Sequence, residues 1–129
     1  MRTTLTIAHM LVRITGVLLL LLGLLFWTGD ALNLVAVHML LGLVMVLSLW
    51  VVAAVAVRLG APIGMAAGVA VLGLVVLILG MTQTGLLPGS AHWVIQVAHL
   101  LVGLAAIASA EMIGGRLRRD RLAAAGATG

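Results

Sequence analysis

Four histidines stand in a chain of 129 residues that is 64% hydrophobic and 8% charged. An imidazole in hydrocarbon needs partners for its ring nitrogens, so each is a candidate for chemistry. Two of the four are related by position. Val37-His38-Met39-Leu40-Leu41-Gly42-Leu43 falls on Ala98-His99-Leu100-Leu101-Val102-Gly103-Leu104 at an offset of 61, and the same offset places Ser48 on Ser109 and Arg58 on Arg119. Two neutral imidazoles at matched depth in a helical bundle form the arrangement that ligates a b-type haem iron on both axial sides. Gly42 and Gly103 follow their histidines by one helical turn on the same face, and are expected to leave room for the porphyrin plane. The competing reading is a histidine pair hydrogen-bonded to backbone carbonyls or to each other.

The other two histidines are less symmetric. His92 precedes His99 by two turns and reaches toward the outer interface beside Trp93; holding a haem propionate, joining a proton path and sitting among headgroups are all open to it. His9 and Arg13 lie one turn apart in the first apolar segment, and Glu111 is the acid at comparable depth. An Arg13–Glu111 ion pair joining the first and fourth helices is the expected use of these charges, with a polar site of His9, Arg13 and Glu111 for a quinone headgroup or a proton as the alternative. Ser48 and Ser109 could add hydrogen bonds deeper in the bundle. The methionines read as flexible packing. With no cysteine there is no disulfide, thiolate nucleophile or iron–sulfur ligand, and no catalytic residue is assigned.

Such groups require membrane helices to position them. Ten charged residues in the whole chain leave nothing from which to build a soluble catalytic or nucleic-acid-binding lobe. Apolar segments are expected over about Ile7 to Trp27, Leu32 to Arg58, Ile63 to Met81 and Ala91 to Ile113, each near the roughly 20 residues that cross a bilayer. The first is longer than a signal-peptide core and is followed by Thr28-Gly29-Asp30 rather than a cleavage site, so it reads as a span. Arg58-Leu59-Gly60-Ala61-Pro62 supplies a charge, a C-terminal glycine and a proline for the next start. Ser90 is the expected cap of the fourth helix. Residues 1–121 form one transmembrane domain, and 122–129 a frayed or disordered tail.

Arginine fixes the expected orientation. Arg2, Arg13, Arg58, Arg116, Arg118, Arg119 and Arg121 all lie at the two termini or the second connection, so both termini are expected in the cytoplasm. The first and third segments also align, at an offset of 57 that places Gly16 and Gly23 on Gly73 and Gly80. The reading is therefore an all-α, integral membrane, up-down four-helix bundle built from two repeats of one helical hairpin, in the lipid bilayer of a bacterial cytoplasmic membrane.

These residues resemble a family. His38 and His99, with Gly80-Met81-Thr82-Gln83-Thr84-Gly85 and His92-Trp93-Val94-Ile95-Gln96-Val97-Ala98-His99-Leu100-Leu101, are similar to one half of the haem A synthases, enzymes of two related four-helix halves. The resemblance covers about Ile7 to Arg119 and implies histidine-ligated haem. The outer-loop cysteine pair and the outer-loop glutamate of that family have no counterpart here, so haem binding is the implied property rather than haem-methyl oxidation. The resulting expectation is a cytochrome b-like protein with one haem b per chain, active in electron transfer or haem handling, with a quinone or redox protein as partner and no nucleic acid. A homodimer would restore eight helices, with the glycines of helices one and three as close-packing points. The alternatives are a small four-helix transporter and a non-catalytic anchor or assembly subunit of a respiratory complex.

Overall fold

A computed structural model describes residues 1–127, and among these the only regular structure is helical. Helix α1 is Arg2–Trp27, α2 is Val35–Arg58, α3 is Ile63–Thr82 and α4 is His92–Gly126, with short 3-10 turns at Leu32–Leu34 and Gln83–Gly85. All four helices are long and apolar enough to cross a membrane. That follows from side chains that are apolar around the whole circumference, since in lipid the backbone must satisfy its own hydrogen bonds.

Two of the turns share one chemistry. At the end of α1 the Gly29 N–H donates to Phe26 and the Asp30 N–H to Leu25; at the end of α2 the Gly60 N–H donates to Val57 and the Ala61 N–H to Ala56. Both are Schellman closures, and both glycines hold the left-handed backbone that the motif needs, at φ +86° and +93°. Pro62 then stands at the N-cap of α3. The fourth helix departs from expectation at its start: Ala91, not Ser90, is the N-cap, and no side chain caps it.

The helices pack in a ring, α1 on α2, α2 on α3, α3 on α4 and α4 back on α1, with α2 and α4 also meeting across the diagonal. Along α1 and α4 the contacts run in opposite order, Gly16 against Ile107, Arg13 against Glu111 and His9 against Gly114. Val46 and Trp50 of α2 lie against Gly73 of α3, and the Trp50 indole N–H donates to the Ala70 carbonyl. Gly16–Ile107 and Gly73–Val46 are the same contact under the two sequence offsets. The heptad-spaced glycines expected to serve contact between copies thus face the interior of this bundle. A Cβ on Gly16 would lie 2.7 Å from Ile107 Cδ1, and one on Gly73 3.2 Å from the Trp50 nitrogen.

Two boundaries differ from the sequence reading. Helix α1 begins at Arg2 rather than Ile7, and α4 runs through Gly114-Gly115 to Gly126, so the expected tail is helical over 122–126, with Thr128 and Gly129 outside the described residues. The glycine pair is not a stop. Gly114 is where His9 packs, since a Cβ there would lie 2.9 Å from the imidazole Cε1 and 3.1 Å from Nε2. Gly114→Ala is expected to lower the melting temperature, because overpacking of roughly 1–3 kcal/mol outweighs about 1 kcal/mol of improved helix propensity. Gly115→Ala, whose Cβ meets only the Arg119 guanidinium at 3.7 Å, should leave it unchanged or raise it. Thermal unfolding in one detergent compares the two.

The buried core is not spread along the helices. Leu5, Ala8 and Val12, the stretch from Met45 to Ala56, Ala66 to Val76, and Ala106 to Leu117 supply it. No residue from Val17 to Val44, and none from Leu77 to Ala105, is fully buried. One half of the bundle holds the buried core, and the other half, which carries His38 and His99, holds no fully buried residue.

Candidate functional site

His38 of α2 and His99 of α4 meet across the diagonal of the bundle, with ring centroids 6.5 Å apart and planes inclined by 48°. A direct N–H···N hydrogen bond of about 3 Å would bring the ring centres to roughly 5.3 Å even in its most extended geometry, so the rings do not bond each other. Neither imidazole has a hydrogen bond among the described residues, and Nδ1 of each is buried without a partner. Such orphaned groups cost about 1–3 kcal/mol each and are uncommon in a finished core. Both competing uses of the pair, bonding to backbone carbonyls and to each other, are therefore not what the structure has.

The spacing suits a metal between the rings. Two imidazole nitrogens each at about 2 Å from one metal ion put the ring centres roughly 6 Å apart. Among the described residues no group of three or more His, Cys, Asp or Glu side chains surrounds such a point. A bare zinc ion wants four protein or water ligands. Two histidines alone suit a metal whose remaining positions are already filled, as a macrocycle fills them in haem.

A Cβ built on Gly42 or Gly103 would meet nothing within 4 Å, so both positions open on free space one turn below the histidines. The glycines that touch the rings are others. A Cβ on Gly23 of α1 would lie 3.9 Å from His38 Cε1, and one on Gly80 of α3 would lie 3.3 Å from His99 Cε1. Each histidine thus rests on the helix that precedes it in the chain, at positions that correspond under the two offsets. The sequence signal for these contacts was the offset of 57 that pairs Gly23 with Gly80. Phe26 adds a ring at 5.3 Å from His38, tilted by 59°, and has no aromatic counterpart on α3.

The remaining sequence candidates fall outside this pair. His92 turns its Nδ1 to the Leu86 carbonyl at 3.1 Å and so fastens the third connection to the start of α4. Ser48 donates to the Val44 carbonyl and Ser109 to the Ala106 carbonyl, each within its own helix, so neither hydroxyl reaches the histidines. Met45 is buried in the core, while Met10, Met39, Met81 and Met112 are exposed on the outside of the bundle.

A second polar cluster lies toward the other end. Arg13 Nε and Nη2 donate to the two oxygens of Glu111 at 2.7 and 2.6 Å, a fork on a carboxylate that joins α1 to α4. His9 points Nδ1 at the same carboxylate from 4.0 Å, and its Nε2 is buried without a partner. The ion pair expected from the sequence is present, with His9 wedged behind it.

The fold and the paired histidines define a four-helix protein of membrane-spanning length with a diagonal bis-imidazole site. The chain matches no family model, and no curated protein or solved structure matches it at a significant level.

Proposed function

We propose that this chain is a membrane b-type haem protein in which His38 and His99 would hold one haem b. The observation that carries the reading is the pair of partnerless imidazoles 6.5 Å apart across the α2–α4 diagonal. Support comes from the open positions at Gly42 and Gly103, from the lack of fully buried residues in that half of the bundle, and from the equivalence of the two histidines under the repeat. In this reading the chain is an up-down bundle of two repeated hairpins. Its termini face the cytoplasm of a bacterium, and the histidines lie nearer the outer surface.

The haem would supply one-electron redox chemistry. The residues of the chain would do the rest. His38 and His99 would each offer a ring nitrogen to the metal. Gly23 and Gly80 fix the height of each ring by letting it rest against a neighbouring backbone. Phe26, whose ring lies 5.3 Å from that of His38, would add apolar surface beside the metal. Gly42 and Gly103 leave space beside the rings. The partner would be a quinone or a redox protein at the outer face, or a haem-handling protein if the group is passed on. The short sequence motifs that resemble half of a haem A synthase would bear on haem binding only, because that family's outer-loop glutamate has no counterpart in them.

The test is an optical spectrum. Protein purified from haem-sufficient cells should show a Soret band and, on dithionite reduction, a sharp α-band of a six-coordinate low-spin haem. A colourless preparation that does not bind added haemin overturns the proposal.

A further inference from the structure

We infer that the chain associates with a second copy of itself through the seam between α1 and α4, and that the Arg13–Glu111 pair lies inside that interface. The inference uses the membrane-spanning length of the helices and the exposure of the ion pair, and is independent of any cofactor.

The starting point is a misplaced ion pair. Arg13 stands 14 residues before Trp27 and 11 after Arg2 on one continuous helix, about 21 and 16 Å from those ends at 1.5 Å per residue. The helix is about 38 Å long at that rise, longer than a hydrocarbon layer about 30 Å thick, so with Trp27 at one edge of the layer Arg13 lies about 9 Å inside the other. Yet the pair is not enclosed by the bundle, since the Arg13 side chain is 59% exposed and that of Glu111 is 39% exposed. Charges at such depth are expensive against lipid and almost always face protein or a water-filled cavity. The four helices of one chain leave the pair half open on its outer side, and a second polypeptide set against the α1–α4 seam would cover it.

The chemistry of the patch selects the occupant. It carries one cation and one anion side by side. A two-fold axis along the membrane normal sets two such patches at the same height, with Arg13 of each copy facing Glu111 of the other. An isologous interface needs this self-complementarity, and a foreign helix would need its own matched pair of charges at the same depth. Around the charges the seam is apolar and open: Met10 and Val17 lie one turn to either side of Arg13 at 53% and 59% exposure, and Leu104 lies two turns from Glu111 at 43%. The glycines Gly16 and Gly73 are committed inside the bundle, so the small-residue packing anticipated between copies is replaced by a polar contact across helices, the other established way in which membrane helices associate.

The absence of cysteine from the chain makes the test clean. Val17→Cys, on the seam, should give a disulfide-linked dimer on mild oxidation in membranes, at least fivefold more than Val71→Cys, which is equally exposed at 58% but lies on α3. Single-molecule photobleaching of the tagged wild-type chain in native membranes should show two copies. Arg13→Leu/Glu111→Leu should reduce the dimer fraction; if that variant does not fold, the cysteine and copy-number measurements still decide. A single copy per particle overturns the inference. So does Val17→Cys cross-linking no better than Val71→Cys, or to a different protein only.

Discussion

His38→Ala and His99→Ala are each expected to abolish the low-spin haem spectrum, lowering haem content of the purified protein at least tenfold, while the four helices remain folded. The expectation rests on where the two residues sit. Neither is part of the tightly packed core, which lies from Met45 to Ala56 on α2 and from Ala106 to Leu117 on α4, and neither bonds to a backbone group that its loss would strand. On the proposed ligation, truncating either ring would remove one of two ligands and leave the group held by a single histidine. Histidine content alone would predict equal sensitivity at all four positions. Instead His92→Ala should retain the spectrum, because its ring is engaged with the Leu86 carbonyl. Haem content by pyridine haemochrome, read beside circular dichroism, separates loss of the site from loss of the fold. If both variants keep a full low-spin spectrum, axial ligation by this pair is wrong.

Glu111→Ala should be the most damaging single change for stability. It strips the bidentate partner from Arg13, leaves a cation within the apolar layer and removes the carboxylate that His9 faces at 4.0 Å. A fall in Tm of roughly 5 °C or more is expected for a chain of this size. Adding Arg13→Leu to it should recover most of the loss, because removing both charges is far less costly than stranding one. Thermal unfolding of the two single variants and the double variant forms a complete cycle. If the losses simply add, the pair contributes nothing through its contact.

Much of the fold is legible in the residues because membrane helices follow from apolar length, and punctuation between them is local. Gly60 and Pro62 end one helix and begin another through backbone geometry that their residue types dictate. Gly114-Gly115 shows where this logic fails. The same residue type that closes α2 is tolerated in mid-helix on α4, and what distinguishes them is His9, more than a hundred positions away in the chain. The site is similarly divided. The pairing of His38 with His99 follows from one sequence offset and a diagonal placement, whereas the contacts of Gly23 and Gly80 with the rings depend on the rotation of α1 and α3 about their own axes. Helices that are apolar all round carry no amphipathic stripe to fix that rotation. Arg13 and Glu111 are the exception, since two opposite charges at one depth are sufficient to predict their meeting, though not that they would lie on the outside of the bundle.

The uneven packing separates two demands along the membrane normal. Residues that hold the helices together, from Val12 and Leu49 to Ile113, are gathered at one end, while the imidazoles occupy the end where nothing is fully buried. A four-helix bundle clasped at one end behaves as a clothes-peg does: the jaws can part without releasing the spring. A planar group bound between His38 and His99, as proposed above, would therefore enter or leave at the end of the bundle that carries none of the buried core. The clasped end need not unfold, and the chain can reach its assembled state in the membrane before anything is delivered to it.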